Sequence, residues 1–216
     1  MFTGIIEEIG EVKFLEKNDK SYKVSIKCKK VLEDVDIGDS ISTNGVCLTL
    51  IAKEKDFFSA YIMKETLDKS NLTYLDIGSK VNLERAMKVN DRFNGHIVSG
   101  HIDSMAEIIN FRREDKTTWI TLKATKETSK YMVYKGSIAI DGISLTIARL
   151  KGETFEISLI PHSQNETTLL RKAIGEKVNI ECDILAKYLE KLYFCKDINE
   201  ESSKISKGFL SENGFM

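Results

Sequence analysis

Two pairs of small polar side chains stand at matching places in this 216-residue chain: Cys47 with Thr49, and Ser144 with Thr146. Residues i and i+2 of a β-strand point to the same face about 6.6 Å apart. Each pair can therefore hold the polar edge of a flat heterocycle without filling the space its rings need. For one pair alone, a solvated strand face is the simpler account; recurrence in both halves turns the reading toward a ligand. A second candidate feature is Gly95-His96-Ile97-Val98-Ser99-Gly100-His101, an apolar stretch whose glycines let a backbone come close to a ligand. Its histidines are five residues apart and so have opposite strand parity, which argues against a metal site built on both. His101 falls where the first half has Ile5, so it breaks the symmetry and is the better candidate for proton transfer. A structural hydrogen-bonding role is the alternative for either histidine.

The elements that position these groups come in duplicate. Asn44-Gly45-Val46-Cys47-Leu48-Thr49 aligns with Asp141-Gly142-Ile143-Ser144-Leu145-Thr146, and Gly78-Ser79-Lys80-Val81-Asn82-Leu83-Glu84 with Gly175-Glu176-Lys177-Val178-Asn179-Ile180-Glu181, both at an offset of 97 (44 to 141, 78 to 175). Phe2-Thr3-Gly4-Ile5-Ile6 matches Val98-Ser99-Gly100-His101-Ile102 at an offset of 96 (2 to 98), so one residue is gained or lost between. Two repeats this long do not make a solenoid; each is expected to close on itself.

Within each repeat, segments such as Tyr22–Cys28 and Trp119–Lys123 alternate at period two between Gly, Asn and Asp. The pattern predicts an all-β fold of small antiparallel barrels with Greek-key connections. Asn44-Gly45 and Asp141-Gly142 are expected to be tight turns at positive φ. Val46, Leu48 and Leu50 should face one way, Cys47 and Thr49 the other. Short helices are expected near 70–75 and 129–134. After Asp183, the spacing of Leu185, Tyr188, Leu189, Leu192 and Tyr193 predicts an amphipathic helix whose apolar stripe favours oligomerisation. The tail from about Ser202 is expected to fray.

Composition narrows the partners. Lys and Arg total 32 against 33 Asp and Glu, with no basic tract, so neither nucleic acid nor an anionic membrane is expected and the expected partner is a small molecule or another protein. Cys28, Cys47, Cys182 and Cys195 are scattered without a C-x-x-C pair, which predicts free thiols and no zinc site. The N-terminus has no basic region leading into an apolar core, so a cytoplasmic location is expected. No phosphate-binding loop and no G-x-G-x-x-G occurs, and no metal or dinucleotide cofactor is expected.

Five separated motifs, Met1–Ile6, Asn44–Thr49, Met63–Thr66, Gly95–Ile102 and Tyr134–Thr146, together resemble the two-repeat lumazine-binding family of riboflavin synthases from residue 1 to about 190. The resemblance implies two tandem six-stranded antiparallel Greek-key barrels, residues 1–96 and 97–186, and a C-terminal α-helix and tail, 187–216, that assembles a homotrimer. It implies two molecules of 6,7-dimethyl-8-ribityllumazine per active site, between barrels of neighbouring subunits. One would give four carbons to the other, yielding riboflavin and a diamino-ribitylamino-pyrimidinedione with no added cofactor; association with lumazine synthase is a further implied partner.

Carried over by position, the first-copy contacts would be Gly4, Ile5, Ile6, Cys47, Leu48, Thr49, Tyr61, Ile62, Met63, Lys64, Glu65 and Thr66. The second-copy contacts would be Gly100, His101, Ile102, Lys135, Ser144, Leu145, Thr146, Ile160, Pro161, His162, Ser163, Gln164 and Asn165. That last stretch departs from the Glu-Thr run the family pattern leads one to expect. In the implied chemistry, Ser144, Thr146 and Asp183 activate or relay a proton at one ring, and His101 acts as acid/base with Cys47 and Ser40 at the other; capping a helix is the alternative for Asp183. A non-catalytic lumazine or flavin carrier of the same fold is the rival reading, and the intact second copy, with Lys135, Asp141, Ser144 and Thr146, favours the enzyme. The flavin-binding barrel of reductases lacks support, since no Arg-x-Tyr-Ser-like motif occurs.

Overall fold

Alternating apolar and polar residues, broken by Gly, Asn and Asp, give thirteen strands in a computed structural model that describes residues 1–18, 21–200 and 207–215. In the first repeat β1 (Glu8–Lys17), β2 (Ser21–Lys27), β3 (Ser40–Thr43), β4 (Val46–Lys53), β5 (Phe57–Met63) and β6 (Lys80–Arg85) close a barrel in the order β1-β2-β5-β4-β3-β6. All pairings are antiparallel, and the jump from β2 to β5 is the Greek-key crossover. The second repeat contributes β7 (Ser104–Glu114), β8 (Thr117–Lys123), β9 (Ser137–Ile140), β10 (Ile143–Thr146), β11 (Arg149–Lys151), β12 (Thr154–Leu159) and β13 (Lys177–Cys182).

These follow the same order, β10-β9-β13-β7-β8-β12-β11, except that the counterpart of β4 is cut in two. At the cut, Ile147 donates to the Gly136 carbonyl (2.9 Å) and Ala148 to that of Glu156 (2.8 Å). The strand thus hands its pairing from β9 to β12 and the second barrel stays open along this seam. Where β1 pairs with β2 the register slips between Val12 and Phe14, and β7 with β8 slips between Ile108 and Asn110. The extra residue, Lys13 or Ile109, sits at the 96-residue offset, so the duplication kept its β-bulges as well as its strands.

Inward-facing residues make one core per repeat, around Ile26, Leu50 and Phe58 in the first and Ile120, Leu122 and Phe155 in the second. Both tight turns are as expected: Asn44 and Gly45 have φ 47° and 82°, Asp141 and Gly142 φ 46° and 79°. They meet at the interface between the repeats, where a Cβ on Gly45 would lie 2.7 Å from the Gly142 nitrogen.

Buried amides surround the turns. Asn179 donates its backbone N–H to Asp141 Oδ1 (2.7 Å), and Asn71 Nδ2 donates to the same oxygen (2.7 Å). Asn82 Nδ2 donates to the Asp141 carbonyl (3.0 Å), joining the first barrel to the second. Burial pushes the Asp141 carboxyl above the usual carboxylate range, against the pull of Lys172. Asp141→Ala would strip two buried donors of their acceptor, and urea unfolding is expected to show a loss of about 2–5 kcal/mol. Asp141→Asn keeps an acceptor oxygen and should cost less than half as much, since Asn44 fills the matching place in the first repeat.

The short helices agree with expectation in part. A 3-10 turn, Asn71–Tyr74, stands where a helix is expected near 70–75, and α1 (Lys64–Lys69) starts earlier, with Leu67 buried and Lys69 paired with Glu65 (2.9 Å). The second, α2 (Lys126–Ser129), also starts early, capped by Thr125 Oγ1, which accepts from the Thr128 N–H (3.3 Å). α3 (Pro161–Glu166) occupies the place of α1 in the second repeat, with proline in its first turn.

The chain divides after Asp183. The second unit holds α4 (Ile184–Glu200), on which Leu185, Tyr188, Leu189, Leu192 and Tyr193 are exposed along the expected stripe. The tail expected to fray contains α5 (Lys207–Glu212), and residues 201–206 lie outside those described. Cys28, Cys47 and Cys182 carry free thiols; the Cys195 side chain lies outside the described set. Among the described residues no helix is long and apolar enough to cross a membrane, and no group of three metal-ligating side chains comes together.

Candidate functional site

Before each barrel's first strand runs a short segment, and the two segments cross. Phe2 donates its N–H to the Val98 carbonyl (2.8 Å) and Val98 returns one to Phe2 (3.1 Å). From there each segment runs against the other repeat's barrel. Gly4 accepts from the backbone N–H of Ser144 (2.8 Å), and Gly100 accepts from that of Cys47 (2.9 Å). Ile6 packs against the core of the second repeat, Ile102 against that of the first.

This corrects the grouping expected from the repeat. Gly4, Ile5 and Ile6 belong with Ser144, whereas Gly100, His101 and Ile102 belong with Cys47. Only glycine fits at the crossings. Gly4 and Gly100 have φ 80° and 85°, and a Cβ on them would lie 2.6 Å from Ser144 Cβ and 2.5 Å from Cys47 Cβ.

Two buried carboxylates hold the crossing segments, and the sequence reading passed over both. Glu84 accepts from the Thr3 N–H (2.7 Å), the Thr3 hydroxyl (2.8 Å) and the Gly4 N–H (3.0 Å). Burial raises its pKa, opposed by these bonds. Glu181, 97 positions on, accepts from the Ser99 N–H (2.6 Å) and hydroxyl (2.6 Å) and from the N–H groups of Gly100 (2.9 Å) and His101 (3.1 Å). Acidic residues at equal positions of both repeats, in the matching runs Lys80–Glu84 and Lys177–Glu181, were the available signal.

At the first site, a cleft of about 240 Å³ is lined by Cys47, Glu65, Thr66, Gly100, His101 and Ile102, with Val46 and Lys69. His101 thus meets the first-copy pair and not Ser144. Thr49, Tyr61, Met63 and Lys64 are exposed nearby in the chain. Ser40 pairs across β3 and β4 with Thr49, as Ser137 pairs with Thr146; the repeat pointed to Ser137 but it was not singled out. Leu48 and Ile62 face the barrel core, and Leu145 packs against the second core, so they can offer a ligand only backbone. Strand alternation dictates this, and contiguous ranges across a strand overlook it.

At the second site, Ser144 is half-buried and its Oγ lies 2.7 Å from His96 Nδ1. His96, set aside in the sequence, is 7 % exposed, and its Nε2 is buried without a partner. Burial lowers its pKa below the ordinary 6.5, although the carboxylates of Asp183 and Glu181 pull the other way. A neutral imidazole on a serine hydroxyl is a base poised to activate an oxygen nucleophile. Thr146 is exposed beside it on the same strand face. Lys135 sits at φ 65°, its N–H on the Ile147 carbonyl (2.9 Å) and its ammonium 5.3 Å from the Tyr134 ring centroid.

Ile160 is exposed, as is Met63 at the matching place. In α3, Pro161, His162 and Asn165 are exposed and Ser163 is half-buried. Gln164 is committed to structure: its Nε2 donates to the carbonyls of Leu159 (2.8 Å) and Lys116 (2.9 Å).

Comparison with known proteins agrees with this duplicated geometry. The profile of the lumazine binding domain matches twice, over residues 3–86 and 99–183. Riboflavin synthase of Bacillus subtilis (strain 168) is 48% identical over 215 residues, covering 100% of both chains. That of Actinobacillus pleuropneumoniae is 46% identical with the same coverage. Among solved structures, LumP complexed with 6,7-dimethyl-8-(1'-D-ribityl) lumazine superposes with TM-score 0.77 at 26% identity, covering 84% of this chain and 99% of that one.

Proposed function

The chain belongs to the lumazine-binding family, and from that premise we propose how it forms riboflavin. It is an enzyme that converts two 6,7-dimethyl-8-ribityllumazine molecules into riboflavin and a diamino-ribitylamino-pyrimidinedione, a transferase reaction moving four carbons. The observation that carries the reading is that both polar pairs stand in intact sites, backed by 48% identity to a riboflavin synthase over the full chain. The rival carrier reading has support in the likeness to lumazine-bound LumP, at 26% identity.

At the second site Ser144 Oγ gives its proton to His96 Nδ1 as the oxygen adds to C7 of the acceptor lumazine. This requires the tautomer with the proton on Nε2, the buried nitrogen. Thr146 and Lys135 bind the ring edge, and Asp183 steadies the imidazolium that forms. At the first site the donor loses a proton from its C7 methyl group, with His101 as the acid/base beside Cys47 and Ser40. Fixing two large rings in one geometry supplies much of the rate.

Residues 1–96 and 97–186 are the two lumazine-binding units and 187–216 the oligomerisation helix and tail. Both sites are open in one chain, which supports an active site completed by a neighbouring subunit, and the exposed stripe of α4 supports a homotrimer. Free thiols at three cysteines support a cytoplasmic location. Association with lumazine synthase rests on family likeness alone.

Equilibrium titration with the lumazine tests the pairing of sites. Two molecules bound per chain are expected; one per chain would favour the carrier.

A further inference from the structure

A cleft of about 640 Å³ opens between the two barrels, and none of its lining residues belongs to either lumazine site. The repeat puts matching positions on its opposite walls, with different chemistry. Where the first repeat presents Tyr74 and Leu75, the second presents Arg171 and Lys172, and both present a lysine, Lys80 and Lys177. The first wall thus carries an aromatic and an apolar side chain where the second carries two further cations.

Lys172 is held in place: its ammonium donates to the Lys177 carbonyl (3.3 Å) and lies 3.6 Å from Asp141 Oδ2. Lys80 pairs with Glu11. Arg171 and Lys177 make no side-chain hydrogen bond or ion pair among the described residues. Glu176, the acid on the lining, already accepts from the Ala173 N–H (2.6 Å).

One deeply buried group on the lining lacks a hydrogen-bond partner: the hydroxyl of Thr168. Thr168 is 3 % exposed. Buried polar groups are seldom left unmatched in a native fold, and cations kept free of acids are an anion's counterpart. The volume falls in the range of small-molecule sites.

We propose that the cleft between the barrels binds a phosphate-bearing small molecule with a planar ring. The phosphate lies against Arg171 and Lys177, and the ring against Tyr74 and Leu75. A nucleoside monophosphate has this chemistry.

The test is calorimetric titration of the full chain with adenosine 5′-monophosphate, with inorganic phosphate and adenosine in parallel. One monophosphate per chain is expected, held about tenfold or more tighter than either fragment. Saturating lumazine should leave that affinity unchanged. The exposed double substitution Arg171→Ala with Lys177→Ala should weaken it about tenfold or more, while the urea midpoint and riboflavin formation stay as in the parent. No binding, displacement by lumazine, or an unchanged affinity in the double variant would each overturn the proposal. Phosphate bound as tightly as the monophosphate would overturn the role of Tyr74 and Leu75.

Discussion

His96→Asn is expected to lower kcat by about 10²- to 10⁴-fold while lumazine binding and the urea midpoint stay near those of the parent. Asparagine can still hydrogen-bond the Ser144 hydroxyl, 2.7 Å from Nδ1 in the parent, but it cannot take the proton away. A role in positioning alone would be largely rescued by this variant; a base would not. The pH profile separates the two further. Catalysis needs neutral His96, and burial sets its pKa below 6.5. Activity should therefore be full at pH 7 and fall as the pH drops through that lowered value. The acid limb should vanish in His96→Asn, and a limb that persists unchanged would assign the titration to another group.

Gly100→Ala should be the most damaging small substitution at the crossing, costing about 2–5 kcal/mol in urea unfolding. Two causes add: a left-handed φ of 85°, and a Cβ placed 2.5 Å from Cys47 Cβ, which forces the paired backbones apart. Gly38 separates them. It has φ 100° and nothing within 4 Å of a built Cβ, so Gly38→Ala carries only the conformational cost, about 1 kcal/mol. Equal losses in the two variants would mean that the segment at Gly100 does not press on the first barrel as described.

The architecture was legible because it is written twice. A constant offset, the Asn-Gly and Asp-Gly turns and period-two strands together specify two like barrels, and the resemblance supplied their strand count. The crossing was not legible. Residues 2–6 and 98–102 precede the first strands, and where they dock depends on pairing between residues far apart in sequence, which no local pattern encodes. Position therefore assigned each segment to its own repeat, and the structure exchanges them.

His96 and His101 stand at different sites, but strand parity is not the reason: the segment that carries them lies outside the strands and Gly100 turns it at φ 85°. The sequence could not say which would meet the serine, and the symmetry comparison rested on His101 against Ile5 alone. Glu84 and Glu181 were readable as acids at matching positions of the two repeats; their partners, the N–H groups of the crossing segments, were not. The seam after Thr146 escaped for a related reason. Ile147 is apolar and buried like the strand around it, and only the hand-over of pairing marks the break.

The central claim is tested most directly by incubating the purified chain with 6,7-dimethyl-8-ribityllumazine, free of added cofactor or metal, and following both compounds by absorbance and fluorescence. One riboflavin formed for every two lumazines consumed is the predicted result. Tight binding without turnover would contradict it and leave a carrier in its place.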